Sequence, residues 1–491
     1  MCRLRWRVVM SVLAFFLAVT VLSLQVNVSI ALVAMGYGPD GQLDVVDQEN
    51  FTESATAALV WTKEVQARVL GAYYVGYSVA QIPMGLLASK YGGKNLMSVT
   101  LFIGAVFAVV SPLAAVLSPA SLILCRFFTG LTHASVFPGI NAVLANWAPP
   151  NERGRLVAFA YSGSSFGIAL SWPTSAMLSD ALGWQSSFYV LGLLAIMWCV
   201  LWHSLAAESP DDHPRIGRRE RNYITASLAG QKPRKIQLNE IPWRQVLLSK
   251  PVWALIVGKS TAEFGQYVIQ LSLPIFMEEA LGFDLKEAGF EISNNNGFLS
   301  ALPYIGYWVC CWAAGFLSDA LISHGLLNIT NTRKLMTLIA LLGQGTFALC
   351  ASYSGAPYLS VLLVLLAQCC IAFHQSGDNV NPIDLAPKYS AMLFAIPNTL
   401  STAAGALLPI IVAALTPEGT PEQWHTVFWL LFVVLVLGAT VFAIFGSGEV
   451  QPWGLEDSGA DELKNDDGQA AKTLLDVERE GDSRDSGNGE N

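Results

Sequence analysis

The stretch GLLASKYGGK at residues 85–94 follows a long apolar run and indicates how the rest of the chain is organised. Its glycines permit a tight turn and close helix approach, and its lysines favour the cytoplasmic side of a membrane. A weaker copy, GFLSD at residues 315–319, follows a comparable run in the second half of the chain. The repetition predicts two related halves, each with this landmark at the end of its second helix.

The composition is that of a membrane protein. Of 491 residues, 53% are hydrophobic and 13% are charged, which is too apolar for an ordinary soluble enzyme of this length. We predict an all-α membrane protein with twelve transmembrane helices in two six-helix halves, 1–206 and 248–447, joined by a cytoplasmic linker (207–247) and followed by a disordered acidic cytoplasmic tail (448–491). The predicted spans are residues 7–36, 67–89, 95–117, 119–147, 154–179, 184–206, 248–281, 296–320, 332–354, 357–383, 388–415 and 423–447.

Basic residues are distributed unevenly between the two sides of these spans. With both termini cytoplasmic, 19 of the 28 Lys and Arg residues fall at the amino end and in the cytoplasmic loops, and only three fall on the opposite side. This is the positive-inside pattern. Asn50, in the sequon Asn50-Phe51-Thr52, then lies on the non-cytoplasmic side, where it can be glycosylated.

Arg126 and Lys259 are the two basic residues placed well inside predicted spans. An ionised side chain at the bilayer centre costs about 2.5–3.5 kcal/mol on insertion scales, so such residues usually face a polar cavity. Two buried cations indicate a passage for an anion. The planar guanidinium of Arg126 suits a carboxylate or phosphate, and its alternative role is to pair with a helix carbonyl or a neighbouring acidic side chain.

The seventh predicted span carries a polar stripe. Lys259, Glu263 and Tyr267 follow one another at four-residue spacing, with Gln266 and Gln270 adjoining, so they share one helix face. Lys259 and Glu263 either neutralise one another, leaving Tyr267 for the substrate, or separate when substrate binds or Glu263 is protonated. The second reading couples a proton to an anion.

The tenth predicted span contains the polar run HQSGDNVN at residues 374–381. Gly377 allows local unwinding there, and Asp378 is a candidate ligand for a proton or a sodium ion. The alternative is a hydrogen-bond network that controls gating.

A hydrolase-like G-x-S-x-G pattern at residues 163–167 lies inside a predicted helix. That motif requires a strand-to-helix turn, so the pattern does not indicate a nucleophile. Small residues at this spacing instead predict close helix packing.

Several further motifs occur in an order that resembles one family. They are WAPPNER (147–153), NGFLSALPY (296–304), DLAPKY (384–389) and GEVQPW (448–453). With the 85–94 loop, they resemble the major facilitator superfamily and, within it, the anion transporter family of sialin, vesicular glutamate transporters and sodium-phosphate cotransporters. The resemblance extends over about residues 20–455, and sialin is the member that the sequence resembles most. The resemblance implies that two halves rock about a midplane site. It also implies that the conformational loops contain Gly85, Lys90, Gly92, Gly93, Lys94 and Asp319.

The resemblance also identifies candidate substrate-binding residues. Arg126 matches an arginine of the family's central anion pathway, and Tyr267 matches the family as well. Gln25 replaces an arginine that reads the substrate carboxylate in many relatives, and Asn141 replaces a histidine. The predicted substrate site comprises Arg126, Tyr267, Gln25, Lys259 and Asn141.

His133 stands where the family has a glutamate associated with proton coupling. It follows Arg126 by seven residues and so lies on the same helix face. Histidine titrates near neutral pH, so His133, Glu263 and Asp378 are the candidates for cation coupling, although a neutral, packed His133 is equally consistent with the sequence.

Together these features predict a secondary active transporter of small anions that works by alternating access and is coupled to protons. The anion is organic, such as sialic acid or an acidic amino acid, or inorganic phosphate. Alternatives are a sodium-dependent phosphate cotransporter, a carrier of a neutral or zwitterionic solute, and a non-transporting, transporter-like receptor. We expect a monomer in a lysosomal, vesicular or plasma membrane, with no enzymatic activity, cofactor, metal site or nucleic-acid partner.

Overall fold

The computed structural model describes residues 5–35, 61, 63–228, 241–279 and 296–454. Every regular element in these residues is helical, and they contain no strand. The α-helices are α1 (Trp6–Met35), α2 (Lys63–Tyr91), α3 (Gly93–Leu117), α4 (Pro119–His133), α5 (Val136–Trp147), α6 (Arg153–Leu182), α7 (Gln185–Leu205), α8 (Arg218–Ser227), α9 (Trp243–Leu248), α10 (Lys250–Glu279), α11 (Asn296–Ser323), α12 (Ile329–Tyr353), α13 (Pro357–Ile371), α14 (Asn381–Leu385), α15 (Ser390–Leu415) and α16 (Pro421–Phe445).

Each of the twelve predicted spans overlaps these helices, with residues 36, 280 and 281 lying outside the described residues, and the predicted all-α membrane architecture is confirmed. In the described part of the chain, nine helical segments are long and apolar enough to cross a membrane. Three further helices of similar length, α2, α6 and α10, are less apolar and carry many of the polar residues of the central cavity. Asn50 and the acidic tail beyond residue 454 lie outside the described residues.

Two predicted spans are broken helices. The fourth is divided into α4 and α5 near Ser135, because Pro138 has no N–H to donate to the preceding turn. The tenth continues from α13 into a 3₁₀ helix, Ala372–Ser376, and reaches α14 through Gly377, the residue at which the sequence allowed local unwinding. A Cβ at Gly377 would lie 2.4 Å from Thr337 Oγ1, so the unwound segment packs closely on α12.

The small residues at 163–167 bring α1 and α6 into close contact, as the sequence predicted. A Cβ on Gly163 would lie 2.2 Å from the carbonyl oxygen of Phe15, and one on Gly167 would lie 2.7 Å from that of Val19. No larger side chain fits at these distances without a backbone shift. The pattern therefore serves helix packing.

The chain start, the loop after α2 and the linker share one side of the helix bundle, which we call the linker side. The amide of Trp6 donates to Glu220 in α8 at 3.0 Å. Glu208 accepts from the amides of Gly93 (3.0 Å) and Lys94 (2.9 Å), where a carboxylate stabilises the amino end of α3. The linker is thereby docked on the first half.

The two halves contact one another closely at the linker side. A Cβ on Gly85 in α2 would lie 2.7 Å from Ala395 Cβ and 2.9 Å from the Ala391 carbonyl oxygen in α15. A Cβ on Gly315 in α11 would lie 2.7 Å from Arg155 Cα in α6. These contacts close the linker side, and the central cavity lies deeper between the halves.

Candidate functional site

A cavity of about 140 Å³ lies between the two halves. Its wall combines the apolar faces of aromatic rings with hydroxyl and amide groups that can bind a polar solute. Among the described residues that line it, Glu263 is the only Asp, Glu, Lys or Arg. The lining tyrosines are Tyr73, Tyr74, Tyr77, Tyr161, Tyr267, Tyr304 and Tyr307, and the lining glutamines are Gln25, Gln266, Gln270, Gln368 and Gln375.

Arg126 lies one layer behind this wall. Its guanidinium donates to the carbonyl oxygens of Leu24 (3.4 Å) and Gln25 (3.0 Å) in α1 and lies 4.9 Å from the centre of the Tyr73 ring. The side chain is buried, and within the described part of the chain it forms no salt bridge with a carboxylate. Gln25 itself lines the cavity and donates to Tyr74 Oη at 3.2 Å. The predicted carbonyl pairing thus coexists with a position next to the cavity.

His133 and Asn141 do not line the cavity themselves but contact residues that do. His133 is fully buried, and its Nδ1 lies 3.2 Å from the hydroxyl of Tyr73. Asn141 hydrogen-bonds to the hydroxyl of Tyr161. Neither predicted residue lines the cavity, whereas both tyrosines do.

Lys259 and Glu263 form an ion pair on the opposite wall. Lys259 Nζ lies 3.1 Å from Glu263 Oε1 and 2.6 Å from Asn379 Oδ1, and it stands 4.3 Å from the Phe394 ring centre. Lys259 is fully buried, whereas the Glu263 side chain is 24% exposed and lines the cavity. Tyr267, one turn further along α10, also lines the cavity. Of the three residues at four-residue spacing, Glu263 and Tyr267 therefore reach the cavity, and Lys259 lies behind its wall.

Asn379 connects this ion pair to the unwound part of the tenth span. Its amide nitrogen donates to Gln375 Oε1 at 2.5 Å, and Gln375 Nε2 donates to Tyr307 Oη at 2.8 Å. The Tyr307 hydroxyl lies 3.4 Å from His374 Nε2. A continuous chain of polar side chains therefore runs from α10 to His374.

Asp378 is buried at the end of this chain and does not line the cavity. Its Oδ1 accepts from Thr337 Oγ1 at 3.4 Å, and its Oδ2 lies 3.6 Å from His374 Nδ1. His374 does line the cavity, so it stands between the cavity and the carboxylate.

A buried charge cluster joins the two halves at the linker side. Asp384 in α14 receives Arg153 Nη1 on one oxygen and Arg333 Nε on the other, each at 2.6 Å. Arg153 belongs to the first half and Arg333 to the second. Arg333 Nη1 also donates to Ser318 Oγ (2.8 Å) and to the Ser376 carbonyl oxygen (3.0 Å).

The predicted loop residues are found in different surroundings. Gly85 contacts the opposite half, and so does Asp319, which accepts from the Arg155 amide at 3.1 Å. Gly92, with φ of 92°, and its successors Gly93 and Lys94 face Glu208 instead. Lys90 lies 5.0 Å from the ring centre of its neighbour, Tyr91.

Several cavity residues were not predicted from the sequence. On α2, Tyr73, Tyr74 and Tyr77 line the cavity within one turn, and on α11 Tyr304 and Tyr307 do so at i and i+3. That spacing of aromatic residues is a usable signal, but it is equally typical of lipid-facing or core positions. No group of potential metal ligands occurs among the described side chains.

Comparisons with known proteins agree with this architecture. A model described as Major Facilitator Superfamily matches residues 8–409. Sialin of Homo sapiens is 34% identical over 459 residues, covering 91% of this chain and 90% of that protein. A putative inorganic phosphate cotransporter of Drosophila ananassae is 33% identical over 420 residues (84% of each chain).

Vesicular glutamate transporter 1 of Xenopus tropicalis is 31% identical over 441 residues, covering 89% of this chain and 74% of that protein. Among solved structures, the proton:xylose symporter XylE bound to 6-bromo-6-deoxy-D-glucose superposes with a TM-score of 0.64 at 15% identity, covering 90% of this chain and 96% of that chain. At this identity, the structural likeness concerns the fold alone.

Proposed function

The chain belongs to the major facilitator superfamily and, within it, to the family that includes sialin, and from this premise we propose that it transports a small anion by alternating access, coupled to protons. It is an integral, multi-pass membrane protein related to transporters, and its partners are a small solute and the lipid bilayer. Organic carboxylates and inorganic phosphate are the solute classes that we propose.

The buried charge of Arg126 is the observation that carries the anion proposal. Its guanidinium bonds to two main-chain carbonyls, and no carboxylate among the described residues pairs with it and neutralises it. Gln25 and Tyr73, which contact it, line the cavity. Because a charge acts more strongly at low dielectric than in water, Arg126 gives this wall a positive potential. Lys259 contributes less, because Glu263 neutralises it.

The proposed solute lies between Gln25 on the first half and Tyr267 on the second. Hydroxyl and amide hydrogens there can bind carboxylate or phosphate oxygens, and the tyrosine faces can cover a sugar or hydrocarbon portion. Asn141 positions Tyr161 in this wall. Binding from both halves at once is what links solute occupancy to their rocking motion.

We propose protons as the coupled ion, with sodium as the second choice. Titratable groups are placed in or next to the cavity, among them Glu263 in the wall and His133 and Asp378 behind it. If a group in or beside the cavity gains a proton when the anion binds, the loaded cavity stays close to neutral while the anion crosses the membrane.

A neutral or zwitterionic solute is the second candidate. No Lys or Arg is among the described residues that line the cavity, and Gln25 stands where many relatives have an arginine. A zwitterion would direct its amino group toward Glu263 and its carboxylate toward the Arg126 side. Uptake competition separates this candidate from the first.

The linker side faces the cytoplasm in this proposal, together with both termini, in a lysosomal, vesicular or plasma membrane. The positive-inside pattern supports the orientation. We propose a monomer as the transporting unit and no enzymatic activity.

Uptake into proteoliposomes tests the proposal. The labelled panel is sialic acid, glutamate, phosphate, urate, a neutral sugar and a neutral amino acid, with and without an inward proton or sodium gradient. We expect saturable uptake of an anion that rises with the proton gradient and falls at least tenfold in Arg126→Ala. A neutral solute as the only substrate would select the second candidate. No flux of any panel member would favour a non-transporting receptor.

A further inference from the structure

The unwound segment between α13 and α14 lies between the cavity and the charge cluster at the linker side. His374, at its start, lines the cavity. The carbonyl oxygen of Ser376, in its middle, accepts from Arg333, and Arg333 binds Asp384. The segment therefore contacts both the solute site and the charge cluster between the halves, so a change in its charge alters the electrostatic potential at both places.

Lys259 sets the direction of the hydrogen bonds that lead to His374. An ammonium group only donates, so Asn379 must present its oxygen to Lys259 and its nitrogen to Gln375. Gln375 then presents its nitrogen to the oxygen of Tyr307, whose own hydrogen remains for His374 Nε2. This order places the ring proton of neutral His374 on Nδ1.

The Nδ1 position faces Asp378. The Nδ1 and Oδ2 atoms are 3.6 Å apart, neither has a hydrogen-bond partner among the described residues, and both side chains are buried, with exposed fractions of 1% and 0%. The other oxygen of Asp378 has one long bond, from Thr337. Burying a carboxylate with so few hydrogen bonds is costly unless a nearby positive charge compensates it.

The groups around this pair do not supply that charge directly. Arg333 on α12 binds Asp384, and Glu263 on α10, which interacts electrostatically with His374, is paired with Lys259. Titratable and charged groups on the other elements packed against the 3₁₀ helix include Tyr304, Tyr307, Cys310, Cys311 and Asp319 on α11, Arg153, Arg155 and Tyr161 on α6, and Cys369 and Cys370 on α13.

We propose that His374 and Asp378 together form the binding site of the coupled proton and that Lys259 is a positioning residue that fixes the tautomer of His374. The two side chains first close from 3.6 Å to hydrogen-bond distance; a proton from cavity water then adds to His374 Nε2 as the Nδ1 proton passes to Asp378 Oδ2. One N–H bond forms, one breaks and one O–H bond forms, so the pair gains a single positive charge. This inference rests on the proposed proton-coupled function and names its site.

The pair differs from the two other candidates. Glu263 already has an ammonium group within 3.1 Å. His133 does not line the cavity and shares Tyr73 with the cation Arg126, which opposes a second positive charge there. Of His374, Glu263 and His133, only His374 both lines the cavity and has a buried, unpaired carboxylate oxygen beside it.

The test compares two reactions of the full-length protein in proteoliposomes, using the panel anion that the wild type accumulates. Accumulation driven by a proton gradient requires proton binding and release, whereas exchange of labelled for unlabelled anion at equal pH does not require net proton movement. For Asp378→Asn and His374→Gln we expect accumulation to fall at least tenfold, while exchange stays within about threefold of the wild type. His425→Gln is the control, because His425 stacks on Tyr353 in another part of the second half.

Two milder variants keep the proposal testable if these fail to fold. Thr337→Val removes the single hydroxyl bond to the Asp378 carboxylate, so the pH midpoint of accumulation should differ from that of the wild type. Lys259→Gln should shift that midpoint too. A glutamine amide can accept as well as donate, so the hydrogen bonds through Asn379, Gln375 and Tyr307 can then reverse their direction. Wild-type accumulation in Asp378→Asn and His374→Gln, or an unmoved midpoint in Thr337→Val, would overturn the inference. Absence of proton-driven accumulation in the wild type would instead refute the proposed coupling itself.

Discussion

Replacing Asp384 with Asn tests whether the buried charge cluster holds the halves together at the linker side. Asp384 is about 1% exposed, and its two oxygens each lie 2.6 Å from a guanidinium nitrogen, of Arg153 and of Arg333. Asparagine retains one acceptor oxygen, and its amide nitrogen faces a donor. Two buried cations are left without a counter-charge.

The size of the effect follows from which bonds each conformation retains. Breaking a buried ion pair by removing one partner costs about 3–5 kcal/mol of folding stability. The bond from Arg333 lies within the second half and survives when the halves separate, whereas the bond from Arg153 crosses between halves. Only loss of the bond from Arg153 changes the conformational equilibrium. A charge-assisted hydrogen bond is worth about 1.5–3 kcal/mol, so opening at the linker side should rise about 10- to 150-fold.

Alkylation of Ala391→Cys measures this opening. Ala391 is 1% exposed in the contact between α15 and Gly85, so a cysteine there reacts when the halves part. We expect alkylation about 10- to 150-fold faster with Asp384→Asn and a melting temperature several degrees lower. Asp211→Asn is the control, because its pair with Arg221 is at the surface and worth about 0–1 kcal/mol. Unchanged alkylation and melting in Asp384→Asn would refute the reasoning.

Three further outcomes are expected. Gly163→Val should lower the melting temperature by several degrees in a thermal scan, since a Cβ there would lie 2.2 Å from the Phe15 carbonyl oxygen and overpacking costs about 1–3 kcal/mol; wild-type melting would contradict the close packing. Glu263→Gln should reduce anion uptake, because it leaves a buried ammonium without a carboxylate, but it should not move the pH midpoint of uptake; a moved midpoint would make Glu263 the proton site. Burial lowers the pKa of His213 from its ordinary value near 6.5, and its Nδ1 accepts from the Arg215 amide, so the neutral ring stabilises linker docking. That stability is complete above about pH 6.5 and is lost as the pH falls below it. Limited proteolysis at residues 215–221 should therefore accelerate under acid in the wild type but not in His213→Gln. Equal acceleration in both proteins would exclude this histidine as the cause.

The helices and several buried contacts were predictable because their causes are local. The length of an apolar run determines whether it can cross a bilayer, and Pro138 and Gly377 mark the two spans that are broken. The stripe of Lys259, Glu263 and Tyr267 follows from helical periodicity, and the ion pair within it is observed. The packing at Gly163 follows from residue size.

The site depended on contacts that sequence spacing does not encode. Arg126 binds carbonyls about 100 residues away in α1, and Asp384 binds Arg153 from a separation of 231 residues. Lys259 sets the orientation of a hydrogen-bond chain only because Asn379, 120 residues later, is brought beside it.

The sequence by itself thus determined the membrane fold, the two related halves and the burial of Arg126 and Lys259, since apolar length and the cost of an ionised group in hydrocarbon act on each segment separately. Tertiary structure alone decided which of those charges are neutralised, which residues line the cavity and which carboxylate lies behind His374. These depend on the distances between helices that are far apart in the chain, and electrostatic and hydrogen-bond energies vary steeply with such distances.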